Sequence, residues 1–202
     1  VLAEALNTPF APEAFARMLT DAGARRLFND AGSADTVGSA GLGSVPRISL
    51  DGSAAGQPLE DWLAPSGAQP APVAIESGWA FNIIYSSGTT GAPKGIVQSH
   101  GMRWAHVMRG AKYGYGPDTV TLLSTPLYSN TTLVVFFPTL AFGGTVLLMP
   151  KFDAAAYLRL AETHRVTHTM LVPVQYQRLM ARPDFDAHDL SRFRMKFSTS
   201  AP

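Results

Sequence analysis

The chain has 202 residues, of which 46% are hydrophobic and 15% charged, and its formal net charge is +1. This composition supports a packed core and excludes a disordered chain, and so small a net charge gives no electrostatic reason to expect binding to nucleic acid or an anionic membrane. Because cysteine is absent, a disulfide framework, a thiolate metal site and a cysteine nucleophile are excluded, and we expect a cytoplasmic protein.

The first residues lack a basic segment followed by an apolar core, so no signal peptide is visible. The most apolar stretch, 133–144, is interrupted by Pro138 and is too short to span a bilayer. We therefore interpret it as a buried helix and expect no transmembrane segment.

The first elements predicted along the chain are a helix over 12–22 and a strand over 24–28. Pro12 lies near the start of the helix, apolar residues recur through it at helical spacing, and Gly23 follows its end. Residues 29–72 are then dominated by Gly, Ser, Ala and Pro, and we interpret that region as a variable surface excursion. Within it, 47–50 and 59–63 are predicted to be ordered.

From residue 81 onward, strand-like segments alternate with helical ones. The predicted strands are 81–85, 95–98, 120–123, 145–149, 169–172 and 194–197. The predicted helices begin at Ser99 or His100 and run to 111, and then cover 131–142, 153–164 with Asp153 as the cap, and 173–180. This alternation predicts an α/β fold with mostly parallel sheets and helices on both faces.

Residues 85–95 read Tyr-Ser-Ser-Gly-Thr-Thr-Gly-Ala-Pro-Lys-Gly. Glycines at 88, 91 and 95 permit positive φ and leave no Cβ between the backbone and a bulky ligand, so main-chain N–H groups can converge on phosphate oxygens. The hydroxyl groups add donors, and the lysine adds a mobile positive charge. The predicted nucleotide-binding residues are Ser86, Ser87, Gly88, Thr89, Thr90, Gly91 and Lys94.

Two other interpretations of this loop are weaker. A Walker A loop needs a Gly-Lys pair followed by Ser or Thr, whereas Lys94 lies between Pro93 and Gly95. A flexible linker is disfavoured because the segment joins two predicted strands directly.

The loop resembles the signature phosphate loop of the adenylate-forming, or AMP-binding, superfamily, which includes acyl-CoA synthetases, the adenylation domains of peptide synthetases, and luciferases. Further segments follow in the family's order, and the resemblance covers nearly the whole chain. These segments are 7–28, 125–128, 143–146, 152–153 and 167–173.

The resemblance implies part of the large N-terminal domain of an acyl-CoA synthetase-like enzyme. In that family a carboxylate attacks the α-phosphate of Mg²⁺-ATP, and a thiol, usually coenzyme A, then displaces AMP from the acyl-adenylate. The resemblance further implies that residues 86–91 and Lys94 hold the β- and γ-phosphates. This role is electrostatic and positional. It assigns no catalytic residue and no metal ligand within this chain.

The resemblance also indicates a partial domain, truncated at both ends. Family members are considerably longer, and their Tyr-Gly-x-Thr-Glu motif, ribose-binding Asp, hinge and C-terminal lysine have no counterpart here. We expect residues 1–202 alone to have no ligase activity.

Two further segments are predicted to bind substrate. Tyr128, Ser129 and Asn130 follow a Pro-Leu pair that lines the acyl pocket in many acyl-CoA synthetases, with Ser129 where those enzymes have histidine. The alternative is a packed Tyr128 and an ordinary helix cap at Ser129 and Asn130. Residues 198–202 resemble a Ser-Gly-Gly-Ala-Pro segment of the family, which adds Thr199, Ser200 and Ala201; the alternative there is a cut strand end.

Other site chemistries have little support. His164 and His168 are four residues apart, but a helix end and a strand start are predicted between them, without an acidic ligand pattern. Phe136 and Phe137 line either an apolar tunnel or plain core. A Gly-x-Ser-x-Gly elbow is missing from the sequence, so serine hydrolase chemistry is unsupported.

Three functions stay open at this stage. The first is a fragment of an ATP-dependent carboxylate–CoA ligase, whose partners are a small carboxylic acid, ATP and CoA. The second is an adenylation domain that loads a carrier-protein thiol, and the third is a nucleotide-binding module without chemistry. The identity of the acid and the oligomeric state are not predicted.

Overall fold

The computed structural model describes residues 11–41, 45–86 and 94–199. Over these residues the chain is an α/β protein with three sheets, and it divides into two compact units, 1–100 and 101–202. The predicted fold class is confirmed.

The first unit begins with helix α1, Pro12–Asp21, which buries Phe15, Met18 and Leu19 on one face. A small parallel sheet follows, in the order β1-β2-β3. Its strands and the short helices around it are β1 Leu27–Asn29, α2 Ala34–Ser39, β2 Arg47–Ser49, β3 Gln57–Pro58 and α3 Leu59–Trp62.

The region 29–72 contains more regular structure than its composition predicted. Residues 31–33 form a 3₁₀ turn that leads directly into α2. Asp30 starts this turn because its carboxylate accepts from the Ser33 backbone N–H at 2.9 Å, and Val37 of α2 packs in the same apolar cluster as α1. Local capping and distant apolar contacts therefore order a segment rich in small residues. That this region varies among relatives stays a prediction.

A two-stranded hairpin completes the first unit. Strand β4, Ala80–Ser86, pairs antiparallel with β5, Lys94–Ser99. The loop after Tyr85 joins two strands that pair with each other. A connection of this length closes an antiparallel hairpin, whereas a parallel crossover needs a dozen or more residues.

The second unit contains a four-stranded parallel sheet in the order β7-β6-β8-β9. Its strands and the longer helices of this part of the chain lie within one or two residues of their predicted bounds. They are α4 His100–Arg109, β6 Val120–Leu123, α5 Asn130–Ala141, β7 Thr145–Leu148, α6 Ala154–Thr163, β8 His168–Leu171, α7 Pro173–Met180 and β9 Met195–Ser198. Asp153 caps α6, as predicted, through a 2.7 Å hydrogen bond from Ala156 N–H.

Neighbouring residues of β6 pack on opposite faces of this sheet. Leu122 lies in an apolar cluster with Tyr157 and Leu158 of α6 and Leu179 of α7. Leu123 lies in another cluster, with Val135 of α5. Because side chains alternate along a strand, one short apolar run supports helices on both faces of the sheet.

The glycine pair after α5 sets the entry into β7. Gly143 has φ of 77°, a conformation that favours glycine. Gly144 N–H donates to Thr139 O at 2.8 Å, and a Cβ on Gly144 would lie 2.8 Å from Thr119 O. The chain can turn from the helix into the sheet here only because both residues lack a side chain.

Among the described residues, no helix is both long and apolar enough to cross a membrane. The apolar stretch 133–144 forms most of α5, as predicted.

His168 is fully buried at the start of β8. Its Nε2 lies 2.9 Å from Tyr113 O and its Nδ1 lies 2.9 Å from Thr167 Oγ1. In the neutral ring Nε2–H donates to the carbonyl and Nδ1 accepts from the threonine hydroxyl. Burial lowers the pKa of His168, since the charged ring loses its hydration.

This lowered pKa predicts loss of stability in mild acid. As the pH falls through about 6.5, the unfolded chain takes up a proton at this histidine before the folded chain does, which favours unfolding. We expect the free energy of unfolding to fall from about pH 7.5 to about pH 5.5, and to fall less in His168→Gln. Denaturant titrations at both pH values measure this, with the exposed His164 changed to Gln as the control. Equal pH dependence in wild type and His168→Gln would contradict the prediction.

Candidate functional site

The predicted phosphate loop joins the two strands of the hairpin. Ser86 and Lys94 are opposite each other as the last pair of the β4–β5 ladder, and Lys94 is exposed. The loop therefore starts and ends at two backbone positions that the ladder holds together. Five of the predicted nucleotide-binding residues lie outside the described residues: Ser87, Gly88, Thr89, Thr90 and Gly91.

Tyr85 ties the end of β4 to helix α1. Its hydroxyl donates to Asp21 Oδ2 at 2.6 Å and lies 3.1 Å from Met18 O. Its ring also packs against the apolar cluster that contains Phe15 and Met18. The residue that precedes the predicted nucleotide-binding segment is thus anchored by a contact across more than sixty positions of sequence.

Gly95 has a packing role in the hairpin. It pairs with Tyr85 across the ladder, and a Cβ at this position would lie 3.1 Å from the Tyr85 ring and 3.1 Å from Ile83 Cγ2. Gly95 is not among the described glycines that have positive φ. The glycine instead lets the tyrosine ring lie over the neighbouring strand.

His100 lies at the other end of the hairpin, beyond the Ala80–Ser99 pair. Its ring packs edge-on against Phe81 with centroids 5.0 Å apart. Five residues of β5 lie between Lys94 and His100, a span of roughly 20 Å at about 3.4 Å per residue. His100 therefore lies at the end of β5 that is away from the phosphate loop.

Residues 124–129 lead from the carboxyl end of β6 to helix α5, and this connection is held at its start. Thr132, in the first turn of α5, donates from Oγ1 to Thr125 Oγ1 at 2.7 Å. Ser129 occupies the N-cap position, but its side chain makes no capping hydrogen bond. Its backbone carbonyl instead accepts from Thr132 N–H at 3.0 Å. Ser129 is therefore at the cap position that the alternative gave it, without a capping hydrogen bond from its side chain.

Tyr128 and Ser129 are half-buried, and Asn130 is exposed. Asn130, the first residue of α5, accepts through Oδ1 a 2.8 Å hydrogen bond from Arg103 Nη1. Sequence reasoning missed Arg103. The sequence places Arg103 in a predicted helix, three residues after His100. That position does not tell a buried arginine from a solvated one.

Arg103 carries a buried positive charge. Its side chain is only 4% exposed, and its guanidinium carbon lies 5.5 Å from the centroid of the Phe137 ring. Burial lowers the pKa of Arg103 and, together with the Arg103 and Arg109 charges, lowers the pKa of His106 on the same helix. A guanidinium stays protonated even so.

Phe136 and Phe137 contact each other edge-on with centroids 5.5 Å apart. Phe136 also packs on the buried cluster of Leu123, Val135 and Met170, which favours core packing for this residue. Phe137 takes part in the Arg103 contact.

Thr199 follows β9 and is half-buried, whereas Ser200 and Ala201 lie outside the described residues. Leu123, Met170 and Phe197 are in register across β6, β8 and β9. Thr125 and Thr199 therefore both lie two residues beyond the same row, at the carboxyl edge of the sheet. With strands about 4.8 Å apart, their backbones are roughly 10 Å apart. Ligands of parallel α/β sheets bind at this edge.

Within the described ranges, no group of three or more His, Asp or Glu side chains is placed to hold a metal ion. His164 is exposed on the helix end while His168 is buried against Tyr113. The two histidines thus face different surroundings.

Comparisons with known proteins agree with this architecture. The sequence pattern of the family described as AMP-binding enzyme matches residues 3–202. The chain is 33% identical over 187 residues to a feruloyl-CoA synthase of Amycolatopsis sp, which covers 91% of this chain and 36% of that protein. It is 40% identical over 119 residues to an indoleacetate–CoA ligase of Aromatoleum aromaticum, which covers 56% of this chain and 22% of that protein.

Among solved structures, ATP-bound MatB from Rhodopseudomonas palustris superposes with a TM-score of 0.79 at 29% identity, and the match covers 98% of this chain and 39% of that one. The chain thus spans well under half the length of each of these proteins.

The Tyr85 anchor predicts a measurable contribution to stability. Tyr85→Phe keeps the ring over Gly95 and removes the hydroxyl that binds α1, so we expect the free energy of unfolding to fall by about 1 kcal/mol. Thermal or denaturant unfolding measures the change. Tyr113→Phe is the matched control, because that ring packs on Phe197 and the side chain is exposed. Equal losses in the two variants would show that the α1 contact contributes nothing specific.

Proposed function

Because the chain belongs to the family of AMP-binding enzymes, we propose that the complete protein is an ATP-dependent, AMP-forming carboxylate–CoA ligase. The observation that carries this proposal is the family match over 3–202, combined with curated relatives that are themselves named CoA ligases or synthases.

The proposed reaction has two steps. A carboxylate oxygen of the acid attacks the α-phosphorus of ATP, and the bond to the β-phosphate oxygen breaks, which releases pyrophosphate and leaves an acyl-adenylate. The sulfur of CoA then attacks the acyl carbon, its proton is lost, and AMP departs with the oxygen that linked it to the acyl group. The first step is needed because a free carboxylate has no good leaving group, whereas AMP is one.

The hairpin loop is proposed to hold the β- and γ-phosphates. Lys94 supplies positive charge at the start of β5, and Ser86, Ser87, Thr89 and Thr90 supply donors, while Gly88 and Gly91 let the backbone approach. The β4–β5 ladder supports this role because it fixes both ends of the loop before ATP binds. Donors that are already in place stabilise developing charge without reorganisation. Mg²⁺ is proposed to arrive with the nucleotide phosphates.

The carboxyl edge of the four-stranded sheet is proposed to hold the acid and the adenylate. Tyr128, Ser129 and Asn130 contribute from the β6–α5 connection, and Thr199, Ser200 and Ala201 from the segment after β9. The register of β6, β8 and β9 supports this grouping, since it brings both segments to one edge. Ser129 stands where many acyl-CoA synthetases have histidine, and serine is the smaller side chain.

We propose aromatic carboxylic acids as the substrate class. The support is that two curated relatives are named for acids with an aromatic ring, feruloyl and indoleacetate.

Acid-dependent exchange between ATP and labelled pyrophosphate tests the proposed function. The complete protein is assayed without CoA against aromatic, short, medium, long and dicarboxylic acids. We expect exchange with aromatic acids, followed by acyl-CoA formation when CoA is added. Exchange with another class would overturn the proposed substrate class, and no exchange with any acid by a folded, ATP-binding protein would overturn the ligase function.

Lys94→Ala tests the phosphate loop. Loss of one charge-stabilising group is expected to lower the exchange rate roughly a hundredfold and to weaken ATP binding, with little change in the KM for the acid. Lys112→Ala is the matched control, because Lys112 is an exposed lysine of the 3₁₀ turn after α4. Unchanged ATP affinity and turnover in Lys94→Ala would count against the loop assignment.

A further inference from the structure

Arg103 places a cation inside the protein beside a residue of the proposed acid site. It is 4% exposed on helix α4, yet Asn130, which it contacts, is exposed on the first turn of α5. Burying a charge is costly unless the surroundings compensate it. Here two of its contacts are neutral: the Asn130 amide oxygen at 2.8 Å and the Phe137 ring.

The contact with Arg103 determines which way the Asn130 amide faces. A guanidinium has donors and no acceptor, so its partner in the amide must be the oxygen, Oδ1. The amide oxygen and nitrogen diverge from one carbon, so holding Oδ1 toward the buried guanidinium turns the NH₂ group away from it. Its two N–H donors therefore lie on the side of the amide away from Arg103, on a residue that is exposed.

Side-chain hydrogen bonds restrain this part of the chain. Thr132 holds the start of the connection through Thr125 at 2.7 Å, and Arg103 holds Asn130. The Phe137 ring, two turns further along α5, restrains the guanidinium at 5.5 Å. Asn130 thus starts from one defined side-chain conformation, which lowers the entropy cost of donating a hydrogen bond to a ligand.

We infer that Arg103 is a positioning residue of the acid site: it holds the Asn130 amide so that its NH₂ group donates to an acceptor oxygen on the body of the bound acid. The substrate class this fits is a carboxylic acid with a second oxygen acceptor, such as a carbonyl, distant from the reacting carboxylate. The inference rests on the proposed function and adds a polar specificity contact to it.

The rival explanation is that Arg103 only packs α4 against α5. In that case its loss lowers stability and affects all acids alike. Positioning of Asn130 instead changes the preference between acids, because only an acid with an acceptor uses the outward NH₂ group.

The experiment compares matched acids with the complete protein. Each pair is built on the best acid from the exchange assay, with a ketone carbonyl in one member and a methyl-bearing CH group at the same position in the other. The readout is the ratio of their kcat/KM values in ATP–pyrophosphate exchange, together with the KM for ATP. We expect the wild type to prefer the ketone at one or more positions.

Asn130→Asp is the decisive variant. Aspartate has nearly the same shape and keeps an oxygen for Arg103, but it replaces the outward donor with an acceptor. The preference for the ketone acid is expected to fall by about tenfold, with the KM for ATP unchanged. Because Asn130 is exposed, this variant is expected to fold.

Arg103→Leu tests the positioning itself. It is expected to lower the same ratio several-fold, and to lower it no further in a protein that already carries Asn130→Asp, since the two residues then act as one unit. Arg109→Leu, an exposed arginine on the same helix, is the matched control and is expected to leave the ratio unchanged. If Arg103→Leu does not fold, Asn130→Asp still tests the contact between Asn130 and the acid, and its failure to change the ratio would overturn the inference.

An unchanged ratio in a folded Arg103→Leu protein would overturn the inference, because Arg103 would then only pack α4 against α5. Two further results would overturn it while leaving the ligase function intact. One is exchange activity in the wild type without preference for the ketone at any position. The other is a preference that survives Asn130→Asp. If the wild type shows no exchange with any acid, the proposed function fails and this inference fails with it.

Discussion

The pairing of β6 with parallel neighbours on both sides is the constraint on which the second unit depends. Each residue of β6 has its side chain on one face of the sheet. Leu122 packs against helices α6 and α7, and Leu123 packs against α5. The polar residues obey the same rule, since Thr121 bonds Thr139 of α5 at 2.7 Å. A shift of one residue in register would exchange the two faces and leave these hydroxyls buried without partners, at a cost of about 1–3 kcal/mol each.

This register also determines what meets at the carboxyl edge. The connection to α5 and the segment after β9 both begin just beyond the row of Leu123, Met170 and Phe197. Tyr176 of α7 secures the outer strand, because its hydroxyl donates to Phe197 O at 2.8 Å. The residues proposed to bind substrate are therefore presented by strand ends that the core already holds in position.

In the first unit, the ends of the hairpin strands are held in position by different contacts. The two strands pair with each other, and the anchor comes from a single aromatic residue that reaches α1. Gly95 and Tyr85 form a pair in which the small residue makes room for the large one. In both units, segments proposed to bind ligands leave from rigid strand ends, which favours preorganised donors over donors that must be ordered during binding.

The sequence by itself determined the element types and most boundaries from residue 94 onward, the Asp153 cap and the family, because periodicity, capping and an ordered glycine-rich motif are local signals. It could not determine that β4 and β5 pair with each other, that 31–39 is helical, or that Gly95 makes room for a ring. It also could not separate Arg103 from the solvated arginines of the chain. The hairpin's anchor on α1 depends on a distant partner, Met18 for Tyr85, and the burial of Arg103 depends on another, Asn130. Only the tertiary structure decides which distant residues meet.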